Sequence, residues 1–194
     1  MKDDLVFPEN ATEGERKIKW QQIAEITDND FGFDTPKADS DRIKFGVRVL
    51  MRNDAGGICV VKSTRYDYMQ IPGGGIEPGE SIIDALRRET REETGFLIRD
   101  IQPLGYVVEK RKDVRNKHDW NHAISFVFSA SPDREVGTEY MEDEIAEGFQ
   151  PFWIKLDDFI ATQENSEGKI ESYSGCFSNR RDIVMAKYFK QLAN

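Results

Sequence analysis

The chain has 194 residues and a formal net charge of −9, from 27 basic and 36 acidic residues. This length suits one domain with an appendage, and the negative field argues against nucleic acid or an anionic membrane as a partner. No run of residues reads as a signal peptide or a membrane span. The two cysteines, Cys59 and Cys176, lie far apart in sequence. We therefore expect reduced thiols in a cytoplasmic protein rather than a disulfide.

The first part of the chain, residues 1–41, is polar and shows little periodicity. We interpret it as an N-terminal extension that ends in a linker. A short ordered piece is predicted at residues 18–26, because its apolar side chains can pack against the main domain. No motif in this extension indicates a function.

Extended segments follow. Alternating apolar residues predict a strand over residues 42–52, a hairpin turn at residues 53–57 and a returning strand at residues 58–62. A third extended run, residues 66–71, ends at Pro72, because proline removes a donor from a sheet ladder. Alternation places Tyr66 and Tyr68 on one face of this run. Stacking on a nucleobase and packing on the sheet are both open for them.

A glycine-rich turn at residues 73–75 leads into a predicted helix over residues 81–94. Ser81 is a good N-cap for this helix and Gly95 supplies its C-terminal stop. On a helical wheel Ile83, Leu86, Thr90 and Thr94 form one stripe. The helix is therefore expected to seat this stripe on a sheet.

Three glutamates occupy the neighbouring stripe of the same helix. Glu89, Glu92 and Glu93 stand at relative positions i, i+3 and i+4, which places their carboxylates within about one turn of each other. Like charges at this spacing destabilise a helix and raise one another's pKa, which predicts a cation between them. Hard divalent ions take carboxylate oxygens, so Mg²⁺ or Mn²⁺ is the expected cofactor. The alternative without a metal is an exposed charged face of the helix that forms salt bridges with neighbouring arginines.

Further strands are predicted at residues 97–104, 105–109, 122–130 and 150–156, and helices at residues 156–163 and 179–192. Interleaved strands and helices predict an α/β fold whose mixed sheet is covered on both faces. A basic run, residues 110–118, contains Arg111 and either meets substrate phosphates or forms a solvated hairpin. An acidic loop, residues 139–147, contains Glu144.

The glycine turn and the helix together resemble the Nudix box. Its fixed positions are occupied by Gly74, Glu80, Arg88, Glu89, Glu92, Glu93 and Gly95. Thr90 and Phe96 replace aliphatic residues of the pattern and are expected to face packing rather than metal. The resemblance implies a Nudix-type α/β/α sandwich with a mixed β-sheet, with the Nudix domain at residues 42–162. Residues 163–194 then form a flexible stretch and a C-terminal helix that packs on the domain.

The resemblance also implies roles for particular residues. The implied metal ligands are Glu89, Glu92, Glu93 and the carbonyl of Gly73. Glu92 or a later glutamate, with Glu144 as the candidate, would orient or deprotonate the attacking water. Arg88 would fix a carboxylate by a charge-assisted hydrogen bond. The residues expected to meet substrate are Gly74, Gly75, Tyr68 and Arg111.

The expected function is a Mg²⁺-dependent hydrolase that cleaves the pyrophosphate bond of a nucleoside diphosphate linked to another moiety. The substrate would be an NDP-sugar, a dinucleotide or an NTP-like molecule rather than nucleic acid. The alternative is a non-catalytic Nudix-like nucleotide sensor. All carboxylates of the box are present, which favours the hydrolase. The apolar residues of the extension and the habit of the family suggest a homodimer.

Overall fold

The computed structural model describes residues 5–34, 40–65, 69–112, 119–140 and 142–192. The elements of these residues follow one another as α1 (Glu13–Lys17), β1 (Gln22–Thr27), a 3-10 helix (Asp28–Phe31), β2 (Ser40–Met51), β3 (Gly57–Ser63), β4 (Met69–Gln70), α2 (Ile82–Thr94), β5 (Phe96–Lys112), β6 (Asp119–Glu135), α3 (Glu142–Glu147), β7 (Phe149–Lys155), α4 (Leu156–Ser166) and α5 (Tyr173–Leu192). The predicted alternation of strands and helices is therefore confirmed.

The strands of the described residues form a mixed sheet, in the order β1-β5-β6-β2, and an antiparallel sheet, in the order β4-β3-β7. In the mixed sheet β1 runs parallel to β5 and β2 parallel to β6, whereas β5 and β6 are antiparallel. The predicted hairpin ladder between β2 and β3 is wrong. Among the described residues the ladder is reduced to the bridge between Arg52 and Ile58, because one edge of β2 pairs with β6 and the other with residues 72–76.

Both faces of β2 are covered by helices. Val47 and Val49 pack in a hydrophobic cluster with Leu86 of α2. Leu50, on the opposite face, packs in a second cluster with Met185 of α5. This alternation is what a strand buried on both sides produces, and it confirms the predicted α/β/α sandwich.

The N-terminal segment is built into the sheet. β1 pairs with β5, and Ile26 is only 2% exposed in the core, so the predicted packing of residues 18–26 on the domain is confirmed. The strands predicted at residues 97–104 and 105–109 are one strand, β5, which contains register shifts. Gly105 lies at one of them, and a Cβ there would be 2.2 Å from the carbonyl oxygen of Gln21.

The C-terminal helix is longer than predicted. α5 begins at Tyr173 and α4 continues to Ser166, so both ends of the stretch predicted to be flexible are helical. None of the helices in the described ranges is both long and apolar enough to cross a bilayer. Cys59 and Cys176 are free thiols, as predicted.

Candidate active site

The predicted acidic helix is present with its predicted caps. The Ser81 hydroxyl accepts a hydrogen bond from the Asp84 amide at 3.1 Å, and Gly95 ends the helix in the left-handed conformation, with φ 74°. Leu86, Thr90 and Thr94 are buried as predicted, but the fully buried isoleucine of the first turn is Ile82 rather than Ile83. The stripe is therefore rotated slightly relative to the prediction.

The N-terminal extension also contacts this helix. The amide of Ile83 is one of the first-turn N–H groups that have no partner within a helix. It donates to the Glu15 carboxylate of α1 at 2.8 Å. Glu15 is 4% exposed, and its other carboxylate oxygen accepts from the Thr12 amide. A residue of the extension thus caps α2, which no pattern in the sequence had indicated.

The glycine-rich segment before α2 runs along β2 as an extra extended segment. The amide of Val49 donates to the Pro72 carbonyl and that of Val47 to the Gly74 carbonyl, both at 3.0 Å. Gly73 has φ +133°, and a Cβ on it would lie 2.1 Å from the Val47 carbonyl oxygen. Only glycine fits this conformation and this approach.

Four charged side chains, Arg88, Glu80, Glu89 and Glu92, form a group that we call the Arg88 cluster. Arg88 donates to Glu80 through Nε at 2.6 Å and Nη2 at 2.9 Å. Its Nη1 donates to Glu89 at 2.8 Å and to Glu92 at 3.0 Å. Its Nη2 also reaches the Gly75 carbonyl at 3.0 Å. Arg88 therefore joins the glycine loop to the acidic face of the helix.

The cluster perturbs the protonation of its members. The hydrogen bonds from Arg88 hold the pKa of Glu80 below its ordinary value. Burial has the opposite effect on Glu89, because loss of water raises the pKa of this carboxyl, and Arg88 offsets the rise only in part. Glu89 is thus a half-buried carboxylate that an additional cation would stabilise.

The donor atoms of this region fit a hard divalent ion. Glu89 lies against Gly74, where a Cβ would be 2.4 Å from its Oε2, so only a glycine leaves the space beside this carboxylate. Glu92 adds a second carboxylate on the same face of α2. The described residues contain no preassembled group of three metal-ligating side chains, and the Arg88 guanidinium donates to both Glu89 and Glu92. A metal bound by both carboxylates would share them with Arg88.

The third glutamate of the helix differs from the other two. Glu93 is 6% exposed, and its carboxylate accepts a hydrogen bond from the Gly73 amide at 2.7 Å. Its main-chain carbonyl accepts from the Tyr140 hydroxyl at 2.8 Å. Glu93 therefore braces the glycine loop.

A second group of charges, which no motif had indicated, lies behind the glycine loop. We call Arg48, Glu109, Arg181 and Asp182 the Asp182 cluster. Asp182 is fully buried, and its carboxylate accepts from the Ile71 amide at 2.8 Å and from Arg181 Nε at 3.0 Å. Arg181 also lies 3.7 Å from Glu109, which is 1% exposed. Burial raises the pKa of the Asp182 carboxyl.

Arg48 connects this cluster to the loop. It lies on β2, is half-buried, and donates to the Gly73 carbonyl through Nη1, the oxygen predicted to bind metal. A carbonyl oxygen has two lone pairs, so this hydrogen bond leaves the metal prediction for Gly73 open. Burial lowers the pKa of Arg48. The alternation of β2 hinted only that Arg48 faces away from Val47 and Val49.

The residues predicted to contact substrate differ in where they lie in the structure. Arg111 lies in β5 rather than in a loop, with its Nε 3.9 Å from Glu109 and its guanidinium 5.8 Å from the ring centre of Phe177 in α5. Gly74 is half-buried and Gly75 exposed. Tyr68 lies outside the described residues, and so does the side chain of Glu144, whose backbone belongs to α3.

Thr90 and Phe96, which replace aliphatic residues of the box, do face packing. The Thr90 side chain is buried and its hydroxyl donates to the Leu86 carbonyl at 2.6 Å. The Phe96 ring contacts the ring of Trp153 edge to face, with their centres 5.8 Å apart. These two substitutions leave the acidic face of α2 unchanged.

A family model described as the NUDIX domain matches residues 42–174. The RNA pyrophosphohydrolase of Pseudomonas fluorescens strain SBW25 is 39% identical over 66 residues, which are 34% of this chain and 42% of that protein. The RNA pyrophosphohydrolase of Halorhodospira halophila strain DSM 244 / SL1 is 37% identical over 67 residues, 34% of this chain and 37% of that protein. The chain thus spans less than half the length of these curated relatives.

Among solved structures, the MutT protein from Methanosarcina mazei Go1 has a TM-score of 0.50 to this chain. The alignment covers 79% of this chain and 98% of that protein at 19% sequence identity, which is a likeness of fold. The matched domain contains the whole glycine loop, α2 and the Arg88 cluster. Because the family match extends over more than half of the sequence, the chain belongs to the Nudix family.

Proposed function

We propose that the protein is a Mg²⁺-dependent pyrophosphohydrolase acting on a nucleoside diphosphate linked to another moiety. One observation carries the proposal: Arg88 holds Glu80, Glu89 and Glu92 at hydrogen-bond distance beside the glycine loop. Membership of the Nudix family and relatives named pyrophosphohydrolases support the same reaction. An NDP-sugar, a dinucleotide and an NTP-like molecule all contain the required bond.

In this proposal the residues that hold the cofactor are Glu89, Glu92, Glu93 and the Gly73 carbonyl. Bound there, Mg²⁺, or Mn²⁺ in its place, would supply positive charge to neutralise the diphosphate and the leaving phosphate. Arg88 keeps Glu89 and Glu92 in fixed rotamers through its charge-assisted hydrogen bonds. The exposed Gly75 and half-buried Gly74 let the diphosphate approach the backbone.

The protein then supplies a base and orientation. Glu92, on the solvent-facing side of α2, takes a proton from the attacking water, and Glu144 is the second candidate for this role. The water oxygen bonds to phosphorus as the bridging P–O bond breaks, so the products are two phosphate compounds. Arg111 and Tyr68 are proposed to bind the remainder of the substrate, since Arg111 projects from the end of β5 next to α5.

The test is hydrolysis of a panel of NDP-sugars, dinucleoside polyphosphates and nucleoside triphosphates with Mg²⁺ or Mn²⁺, with phosphate measured after phosphatase coupling. Glu92→Gln should lower turnover by about 10²- to 10⁴-fold, the usual contribution of a general base, and should leave the fold intact. The matched control is Glu139→Gln, because Glu139 pairs with Arg91 at the end of the same helix. Full activity in Glu92→Gln would remove its assignment as the base.

Two alternatives are decided by the same panel. A protein that binds nucleotides but hydrolyses none of them would be the sensor. A triphosphorylated RNA is a second candidate substrate, because the matched relatives are named RNA pyrophosphohydrolases. The net charge of −9 disfavours it. An RNA substrate in the panel, assayed at low and high salt, compares the two substrate classes directly.

A further inference from the structure

The segment Ile71–Gly74 has two edges, and its backbone hydrogen bonds can be accounted for on both. One edge pairs with β2 through the carbonyls of Pro72 and Gly74. The other edge presents the N–H and C=O groups of Ile71 and Gly73, which in a sheet would pair with a further strand. Here charged side chains replace that strand.

Each of these four groups has a charged partner. Asp182 accepts from the Ile71 amide at 2.8 Å and Glu93 from the Gly73 amide at 2.7 Å. Arg48 donates to the Gly73 carbonyl and approaches the Ile71 carbonyl at 3.4 Å. The partners come from β2, α2 and α5, so three separate elements fix the backbone N–H and C=O groups of two residues.

Burying these charged side chains costs desolvation free energy. A further strand could have paired with the same backbone groups without burying any charge. A buried ion pair is often no more stabilising than apolar residues of the same volume, so Asp182 and Arg181 are poorly explained by stability alone. The loop partner of Asp182 is Ile71, the residue before Pro72 and the glycines proposed to meet metal and diphosphate. Charged partners fix the position of a peptide group more narrowly than apolar contacts do, because hydrogen bonds are directional.

We propose that Asp182 and Arg48 are positioning residues for the hydrolase: they hold the peptide groups of Ile71 and Gly73 so that the glycine loop keeps one conformation before substrate binds. This inference rests on the proposed function. It makes α5, of which only Tyr173 and Ser174 lie within the residues matched by the family model, a part of the active-site framework. Arg181 supports Asp182 through its ion pair at 2.9 Å.

The experiment compares Asp182→Asn and Arg48→Lys with the unaltered protein. Asp182→Asn keeps the size of the side chain but removes its charge, and Arg48→Lys keeps the charge but loses the planar fork. Each should lower kcat by about 10- to 100-fold, the usual effect of losing a group that orients a ligand, with KM changed by less than about threefold. Hydrogen exchange at the Ile71 amide should become faster in Asp182→Asn.

The matched control is Asp28→Asn. Asp28 is also a buried carboxylate, 5% exposed, and also holds α5, since it accepts from the Tyr173 hydroxyl at 2.6 Å. This variant should lower the melting temperature and leave kcat within about twofold, because the hydrogen bonds of Tyr173 are to Asp28 and the Lys112 amide rather than to the peptide groups of Ile71 and Gly73. Asp28→Asn therefore distinguishes a loss of stability, caused by weaker packing of α5, from a loss of kcat caused by a displaced glycine loop.

The possible results are distinct. The positioning role is overturned if Arg48→Lys and folded Asp182→Asn both keep the wild-type kcat and lose only melting temperature. If Asp182→Asn does not fold, the kcat of Arg48→Lys decides alone. An equal loss of kcat in Asp28→Asn would also overturn it. If the unaltered protein hydrolyses nothing, the proposed function has failed. The positioning role is then tested by the Mn²⁺ affinity and the Ile71 amide exchange of the two variants. Lower affinity and faster exchange than in the unaltered protein support the role, and no change in either measurement refutes it.

Discussion

Two arginine-centred groups of charges flank the same glycine loop and differ in almost every other respect. In the Arg88 cluster the side chains are 14% to 28% exposed, and the longest hydrogen bond from Arg88 to a carboxylate is 3.0 Å. In the Asp182 cluster Arg181 and Asp182 are 4% and 1% exposed at their side chains. The first group is partly exposed to solvent. The second contacts backbone and other charges, so it can act only through the loop.

The difference shows how one loop is held from both sides. The Arg88 cluster arises within residues 75–92, from a loop and the helix that follows it. The Asp182 cluster joins β2, β5 and α5, and its hydrogen bond to Ile71 spans 111 residues of sequence. Exposed ion pairs contribute little to stability, whereas losing one partner of a buried pair is costly. The two groups should therefore respond differently to substitution.

The largest effect is expected in the buried group. Arg181→Met removes the cation between Glu109 and Asp182 and leaves two carboxylates, 2% and 1% exposed, without it. The free energy of unfolding should fall by about 3 to 5 kcal/mol, as for other broken buried pairs. Denaturant unfolding measures this change. A loss below about 1 kcal/mol would mean that the pairing is not what keeps these charges buried.

The next effect is expected in the Arg88 cluster, and in activity rather than stability. Arg88→Lys keeps the charge, but one ammonium cannot bridge Glu80, Glu89 and Glu92 as the guanidinium does. Turnover should fall by about 10- to 100-fold, while the free energy of unfolding changes by less than about 1 kcal/mol. Steady-state kinetics and a urea titration on one preparation give both numbers. A large stability loss with unchanged kcat would reverse the comparison.

A smaller effect is expected at the beginning of α2. Glu15→Ala removes the carboxylate that accepts from the Ile83 amide and should destabilise the protein by about 1 kcal/mol, as the loss of a helix cap does. The control is Glu13→Ala in the same short helix, where an exposed pair with Lys17 is lost. Thermal unfolding of the two variants side by side tests the cap. Equal melting temperatures would argue against it.

The smallest effect concerns pH. The pKa of Glu80 is lowered in the folded protein by its hydrogen bonds to Arg88, so the folded state binds the proton less well than the unfolded state. This stabilisation is present above the unfolded-state pKa of about 4.3 and is lost as the pH falls through the folded pKa. The stability difference between the protein and Glu80→Gln should therefore shrink on acidification. A difference that is constant from pH 7 to pH 3 would contradict this.

The features that the sequence predicted correctly are those that depend on residues close together in the chain. The acidic helix, its caps and the bonds of Arg88 are local, because helix periodicity places Arg88, Glu89 and Glu92 on adjoining positions. The alternation of β2 and β6 and the covered mixed sheet were likewise readable. The pairing of β2 with β6 instead of β3 was not, because a turn at residues 53–57 is compatible with a local ladder and with a crossing between two sheets.

The unpredicted parts of the site are those that depend on distant residues. Nothing near Asp182 in the sequence shows that its carboxylate meets the Ile71 amide, and nothing near Glu15 shows that it caps α2. For Arg48 the alternation of β2 gave only the face of the strand, and its contact with the Gly73 carbonyl 25 residues away was not predicted. Burial of both faces of β2 is a property of the assembled sandwich. No single segment encodes it.

The hydrogen bond between Asp182 and Ile71 has a consequence for synthesis of the chain. Domains form from the N-terminus as the ribosome elongates the polypeptide, and contacts of long sequence separation form late because a large loop must close first. The acidic helix can form soon after residue 95 has been made, but the loop before it acquires its last anchor only when residue 182 has emerged. A nascent chain would thus contain the whole Nudix box before the Ile71 amide has its buried partner.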